Sequence, residues 1–313
     1  MKENTTKPTF MQRFKDCFNK YKKQFKVWFA ERVRQLKKNT NIIRELVKKN
    51  IKIQYRNSAI GAIWTVLNPL LNMLIMFFVF GTILGYGNDP TYALYLLCGN
   101  VLFNSMRGAT TQSLTCLVQN RGLLTKNRIS YSVFPLSSNI TAIVNFFFSC
   151  IALFGVMVVV HFTTLNNDAV TGTIFSWNIL NMFLMLPAFF LFTYGVSLFL
   201  ASLYVFFRDV QHFYMVFLTL WTYLTPIFYK TDRFETNKTM EKLALFAIEK
   251  LNPMYYFVTY FRNIVFNYSA YGTLLGNSGN GISIWALYII GLLFFAIGSL
   301  VFMFTKRKFI FYI

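Results

Sequence analysis

Four stretches of the chain contain no Asp, Glu, Lys or Arg: residues 57–88, 129–167, 169–207 and 263–305. Each exceeds the ~20 residues that an α-helix needs to cross a ~30 Å hydrocarbon core. No water pairs backbone groups in that layer, so such segments must satisfy their own hydrogen bonds as helices. A β-barrel would show short segments of alternating polarity instead. Only 13% of the 313 residues are charged and 55% are apolar, whereas a soluble domain carries roughly a quarter charged residues. The expected fold is all-α and integral to a membrane.

Six transmembrane helices are predicted, at about 62–84, 92–114, 138–161, 178–204, 211–229 and 282–304. An even number places both termini on one side, and the excess of cations marks the cytoplasmic side. Residues 1–60 hold 17 Lys and Arg, and the connections and tail on the same side raise the count to 24. The opposite side holds 6, all within 230–281, and Arg107 falls inside the second span. Both termini are therefore expected in the cytoplasm. The net charge of +20 is read as this topology signal, not as nucleic-acid binding. No secretory signal is expected, because about 60 polar and basic residues precede the first span.

The chain divides into a basic arm over 1–40, a transmembrane domain over 41–308 and a cytoplasmic tail over 309–313. Within the arm, Phe10, Phe14, Phe18, Tyr21, Phe25, Trp28 or Phe29, Val33 and Leu36 recur at three- and four-residue steps, with Lys15, Lys22, Lys23, Lys26 and Arg32 largely between them. That pattern fits a basic amphipathic helix in the headgroup plane of membrane lipid, with a disordered cationic tail as the other reading. A second amphipathic segment follows, with Ile42, Ile43, Leu46, Val47 and Ile51 on one stripe and Arg44, Lys48 and Lys52 on another. Cys17, Cys98, Cys116 and Cys150 are scattered and far from His161 and His212, which gives metal binding no support. GxxxxGK[ST], GxSxG, HExxH and GxGxxG are all missing from the sequence. With no P-loop and no Asp, Glu, Lys or Arg other than Arg107 in the spans, the chain is expected to draw its energy from another subunit.

The run IKIQYRNSAIGAIWTVLNPLLNML over 51–74 carries a cationic strip directly into the first span. Lys52 and Arg56 can snorkel at the interface. Gly61 is expected to allow close packing beside Trp64, and Pro69 to bend the span. Asn68 and Asn72 lie one turn apart and share a face that lipid would penalise, so they either glue helices together or line a conduit.

Residues 46–70 resemble the N-terminal signature of ABC-2 type permeases, in particular those exporting lipid-linked polysaccharides, O-antigen and teichoic acids. Ile51, Lys52, Tyr55, Ser58, Gly61, Trp64, Leu67, Pro69 and Leu70 follow the pattern, while Lys49-Asn50 and Gln54 depart from it. Three further blocks are similar in the same order: 120–126 with 134–136, 202–212 with 225–229, and 252–262. The resemblance implies a homodimer in a bacterial cytoplasmic membrane, docked on a separate ATPase subunit that uses ATP and Mg. The chain itself is then neither an enzyme nor a cofactor binder. Arg44, Lys48, Lys52, Arg56, Asn120, Leu123, Leu124 and Lys126 become the expected ATPase-coupling face, and Trp64, Asn68, Pro69 and Asn72 the gate or conduit. Arg208 and Asp209 are expected as a cytoplasmic ion pair, against the reading of a solvated turn. The resemblance also places re-entrant helices in the last external segment, where Tyr255, Tyr256 and Tyr260 are outer-mouth aromatics able to stack on a passing glycan.

The leading expectation is a permease for a lipid-linked glycan or polyol-phosphate polymer. A permease for a small hydrophobic drug or lipid shares the fold. A membrane enzyme or scaffold of wall-polymer assembly would need paired acids on the cytoplasmic face, and the 115–137 loop has none.

Overall fold

The computed structural model describes residues 39–54, 56, 61, 63–83, 85, 91–126, 129–164, 177–229, 243, 245–266 and 282–312. The expected amphipathic helix at 10–36 lies outside the described residues. Among the described residues ten α-helices follow in chain order: α1 (Thr40–Gln54), α2 (Ile63–Met76), α3 (Tyr92–Gln119), α4 (Arg121–Lys126), α5 (Val133–Thr164), α6 (Asn181–Phe206), α7 (Val210–Leu224), α8 (Pro253–Phe266), α9 (Ile284–Thr305) and α10 (Phe309–Tyr312). Helix α2 runs on as a wider π-helical segment over Phe77–Ile83, and a second π turn over Ala247–Leu251 precedes α8. No strand occurs among the described residues.

Among the described residues, four segments are long and apolar enough to cross a membrane: Ile63–Ile83, Val133–Phe162, Asn181–Phe206 and Ile284–Lys308. The other two expected spans depart from that type for different reasons. Helix α3 has 28 residues, about 42 Å at 1.5 Å per residue, but carries polar side chains along its length. Helix α7 has 15 residues and ends at Leu224, about 22 Å. The expectation of helix to 229 is corrected here. Pro226 disfavours helical backbone at the residue before it, and Thr225 is extended at φ −85°, ψ 124°. Residues 225–229 continue as irregular turns, with Thr225 to Phe228 buried.

Two other expectations are refined. Gly61 stands at φ +56° with open space where a Cβ would be, so it turns the chain between α1 and α2 and does not serve close packing. Pro69 is buried inside α2. Its missing N–H frees the Thr65 carbonyl one turn earlier, which accepts a hydrogen bond from Ser149 Oγ of α5 at 3.3 Å.

The helices alternate in direction. Ser105 lies near Ala142 and Ser113 near Pro135, so α3 and α5 are antiparallel. Ser197 of α6 donates to the Ala109 carbonyl of α3 in a parallel pair, and α7 runs antiparallel to α3 through Thr222–Arg107 and Tyr214–Thr110. One large core gathers α3, α5, α6, α7 and α8 around Phe103, Phe146, Phe189, Phe192, Trp221 and Phe257. A smaller core at the other end joins Leu46 of α1 to Leu117, Phe134, Leu198, Phe302 and Phe309. Phe309 is fully buried there against Tyr131, Phe206 and Phe302, which anchors the start of the C-terminal tail.

Helices α6 and α9 meet backbone to backbone. A Cβ on Gly298 would stand 1.9 Å from the Gly195 carbonyl oxygen, and one on Gly195 would stand 2.4 Å from Phe294 backbone atoms. Small residues permit this approach where no hydrophobic driving force pulls helices together in lipid. Gly298→Leu should therefore destabilise the purified protein by roughly 1–3 kcal/mol or more. Gly155→Ala in α5, where a Cβ meets nothing within 4 Å, should not lower the thermal midpoint in detergent, since alanine is the better helix former.

Candidate functional site

At one end of the bundle α1 lies against α5, held by buried Leu46 and turned so that Arg44, Lys48, Lys52 and Arg56 are exposed. Lys48, Lys52 and Arg56, with Glu45, Lys49 and Ile53, border an open groove. Lys48 Nζ pairs with Glu45 at 3.0 Å in full view of solvent, where such a pair contributes little. Lys49, expected only as a departure from the family pattern, donates to Asn120 Oδ1 at 2.9 Å. Asn120 in turn donates through Nδ2 to the Cys116 carbonyl at 2.8 Å and closes the end of α3. The two segments expected to form the coupling face are thus joined by a strut. Leu123 of α4 projects outward, 39% exposed, whereas Leu124 leans on the smaller core. The Lys126 side chain lies outside the described residues.

Arg208 and Asp209 do not form the expected ion pair. Both are exposed, and the salt bridge found among the described residues is Lys48–Glu45. Successive residues in a helical turn diverge by about 100°, so neighbours there face away from each other.

Of the expected gate residues, Asn68, Asn72 and Trp64 are exposed on α2. Pro69 points inward and belongs to the packing with α5. A longer polar face lies on α3, and of its residues only Arg107 was singled out by the pattern of charges. This helix is buried almost throughout, and past Ala93 its accessible positions are Asn100, Asn104, Arg107, Gly108, Thr111, Gln112, Thr115, Val118 and Gln119. Steps of three and four keep them on one side of the helix, and all but Val118 are polar or glycine. Where this stripe approaches α1 and α5, Asn50, Gln54, Asn104, Ser105, Gln112 and Asn145 line a cavity of about 350 Å³. Asn145 donates to Gln54 Oε1 at 3.0 Å across it. Lipid cannot pair such groups, so this face fits a watery passage or another protein surface.

At the far end, the irregular turn after α7 is wrapped by donors from α3, from α8 and from Asn252, the residue before α8. Arg262 of α8 is 2% exposed. Its guanidinium donates to the carbonyls of Pro226 at 2.9 Å, Ile227 at 3.2 Å and Tyr95 at 3.3 Å, and lies over the Tyr95 ring at 3.4 Å from the centroid. Tyr92 donates to the Phe228 carbonyl at 2.6 Å, and Tyr95 to the Tyr229 carbonyl at 2.9 Å. Asn252 reaches the Leu224 carbonyl and Thr225 Oγ1 while accepting from Trp221 Nε1 and the Met254 amide. With Tyr229 on the Tyr223 carbonyl and the Ile227 amide on that of Thr225, every carbonyl from Tyr223 to Tyr229 has a donor. Gly99 leaves the room, since a Cβ there would meet Arg262 Nη2 at 2.9 Å.

Helix α8 falls within the segment expected to hold re-entrant helices. Residues 230–242 and 267–281 of that segment lie outside the described residues. Its aromatics divide: Phe257 and Phe261 are fully buried and Tyr255 is buried at 9% exposure, while Tyr256 and Tyr260 are half-buried. Tyr255 therefore serves the core, and Tyr256 and Tyr260 are the accessible rings. No cluster of His, Cys, Asp or Glu fit to hold a metal occurs among the described residues.

Residues 42–266 match the ABC-2 type transporter family model. The chain belongs to that family. It is 28% identical over 236 residues to the O-antigen export system permease protein RfbA of Myxococcus xanthus, covering 75% of this chain and 84% of that protein. It is 29% identical over 232 residues to a protein of the same name from Klebsiella pneumoniae, covering 70% and 85% respectively.

Arg262→Met should leave the Pro226 and Ile227 carbonyls short of a donor and destabilise the protein by roughly 2–4 kcal/mol. The thermal midpoint of the purified chain in micelles reads this, and Arg262→Lys should recover part of the loss.

Proposed function

We propose that the protein is the permease subunit of an ATP-binding-cassette exporter that moves a lipid-linked cell-surface polysaccharide, or a similar polymer, across a bacterial cytoplasmic membrane. The observation that carries this is the similarity to O-antigen export permeases over 70–75% of the chain. ATP is hydrolysed in a separate subunit that docks on the exposed face of α1 and α4, with Arg44, Lys48, Lys52, Arg56 and Leu123 as its contacts. A teichoic-acid-like polyol phosphate would travel the same route.

Six spans with both termini in the cytoplasm accord with the alternating helix directions, with α3 and α7 as the two unusual spans. The transmembrane domain occupies 41–308 and the basic arm 1–40. Two copies face each other so that Asn68 and Asn72 of α2 and the stripe on α3 border a shared passage. An amide- and hydroxyl-lined wall offers a glycan hydrogen bonds that exchange as it slides. A small apolar cargo would gain nothing from such a wall, which weighs against the drug-export reading. Closure of the ATPase would press on α1 and α4, and the Lys49–Asn120 strut would carry that displacement into α3.

Depletion of the protein should leave lipid-linked polymer accumulating inside the cell and strip it from the surface; normal surface polymer would overturn the proposal. Leu123→Asp should abolish export and co-purification with the ATPase without altering membrane insertion. Unchanged export would remove Leu123 from the docking face.

A further inference from the structure

Arg107 is the one Lys or Arg between Arg56 and Arg121, and it sits midway along α3 on the polar stripe. A guanidinium carries five N–H donors and keeps its charge in proteins. Here Nη2 donates to Thr222 Oγ1 at 2.7 Å, the group lies 5.5 Å from the Phe103 ring centroid, and Nε is buried without a partner. No carboxylate pairs with it among the described residues. A second copy of the chain offers no remedy from its membrane helices. None of the 11 acidic residues falls within 57–88, 90–167, 169–208 or 210–229. An uncompensated cation at membrane depth is expensive and marks a functional position.

The side chain is half-exposed, and beside it Gly108 leaves open space where a Cβ would stand. A charge that the protein does not balance, facing an open polar groove, is suited to an anion that arrives and leaves. Planar guanidinium donors match phosphate oxygens two at a time. We propose that Arg107 is a binding residue for the phosphate oxyanion that joins the lipid to its glycan, engaged as the cargo meets the α3 stripe. This rests on the permease reading above. Thr222 and Phe103 hold the guanidinium in place, and the remaining Nη N–H groups are left for the phosphate.

The test uses the full chain in nanodiscs of neutral phosphatidylcholine, with a polyprenyl diphosphate, the matching uncharged polyprenol and phosphatidylglycerol as separate probes measured by native mass spectrometry. Arg107→Gln should weaken polyprenyl diphosphate binding on the order of tenfold or more, and Arg107→Lys should retain part of it. Polyprenol binding should be equal in all three proteins, which also reports that the variants are folded. Equal diphosphate affinity in the wild type and Arg107→Gln would overturn the inference. Loss of phosphatidylglycerol alone would assign Arg107 to a bilayer lipid and overturn the cargo contact. Export is scored separately in cells. If the wild type exports polymer and Arg107→Gln binds diphosphate normally, only the Arg107 inference falls; if the wild type exports none, the permease reading falls.

Discussion

The structure turns on seven consecutive backbone carbonyls, from Tyr223 to Tyr229, that leave helical pairing and are still paired. In a membrane an orphaned carbonyl has no water to turn to, so non-helical backbone survives only where protein supplies the donors. Pro226 makes the helix stop, and the stop requires Arg262, Asn252, Tyr92 and Tyr95. Because these donors come from α3, α8 and the residue before α8, one proline ties three segments into a single unit. An arginine suits this position because its charge strengthens each hydrogen bond and its planar face stacks on Tyr95.

Around that unit the bundle separates rigid from accessible parts. Helix α3 is enclosed on most of its circumference by α5, α6 and α8, and its remaining side is polar. Helix α2 is buried only at Thr65, Pro69 and Met73, and α7 only at Tyr214, Leu218 and Trp221. Both rest on the core along one narrow line and leave the rest of their surface uncovered. Polar α3 lies between them at the opening.

Much of this was legible in the sequence, and the gaps have physical causes. Charge-free runs found the four apolar spans because insertion into lipid depends on composition, which is local. Pro226 was visible, and the preference of the residue before it against helix would have ended α7 at Leu224. The stripe on α3 was legible too, since Asn100, Asn104, Arg107, Thr111, Gln112, Thr115 and Gln119 repeat at helical spacing. Arg107 is its only charged member, so the pattern of charges alone marks one residue of the stripe. The Arg262 cage was out of reach, because Tyr95 and Arg262 are 167 residues apart and nothing local says which carbonyls converge. Close packing and a left-handed turn both call for glycine, and composition alone does not separate the two at Gly61.

The glycine contact between α6 and α9 has a mechanical result. With Gly298 set against the Gly195 carbonyl and the ring pairs Phe192–Phe294 and Tyr194–Phe295 keyed on either side, the two helices cannot slide past one another, so they act as one doubled beam. Deformation must be absorbed on the other flank, by the sparsely seated helices next to the polar wall. The protein is stiff where it is seamless and yields where it would have to open.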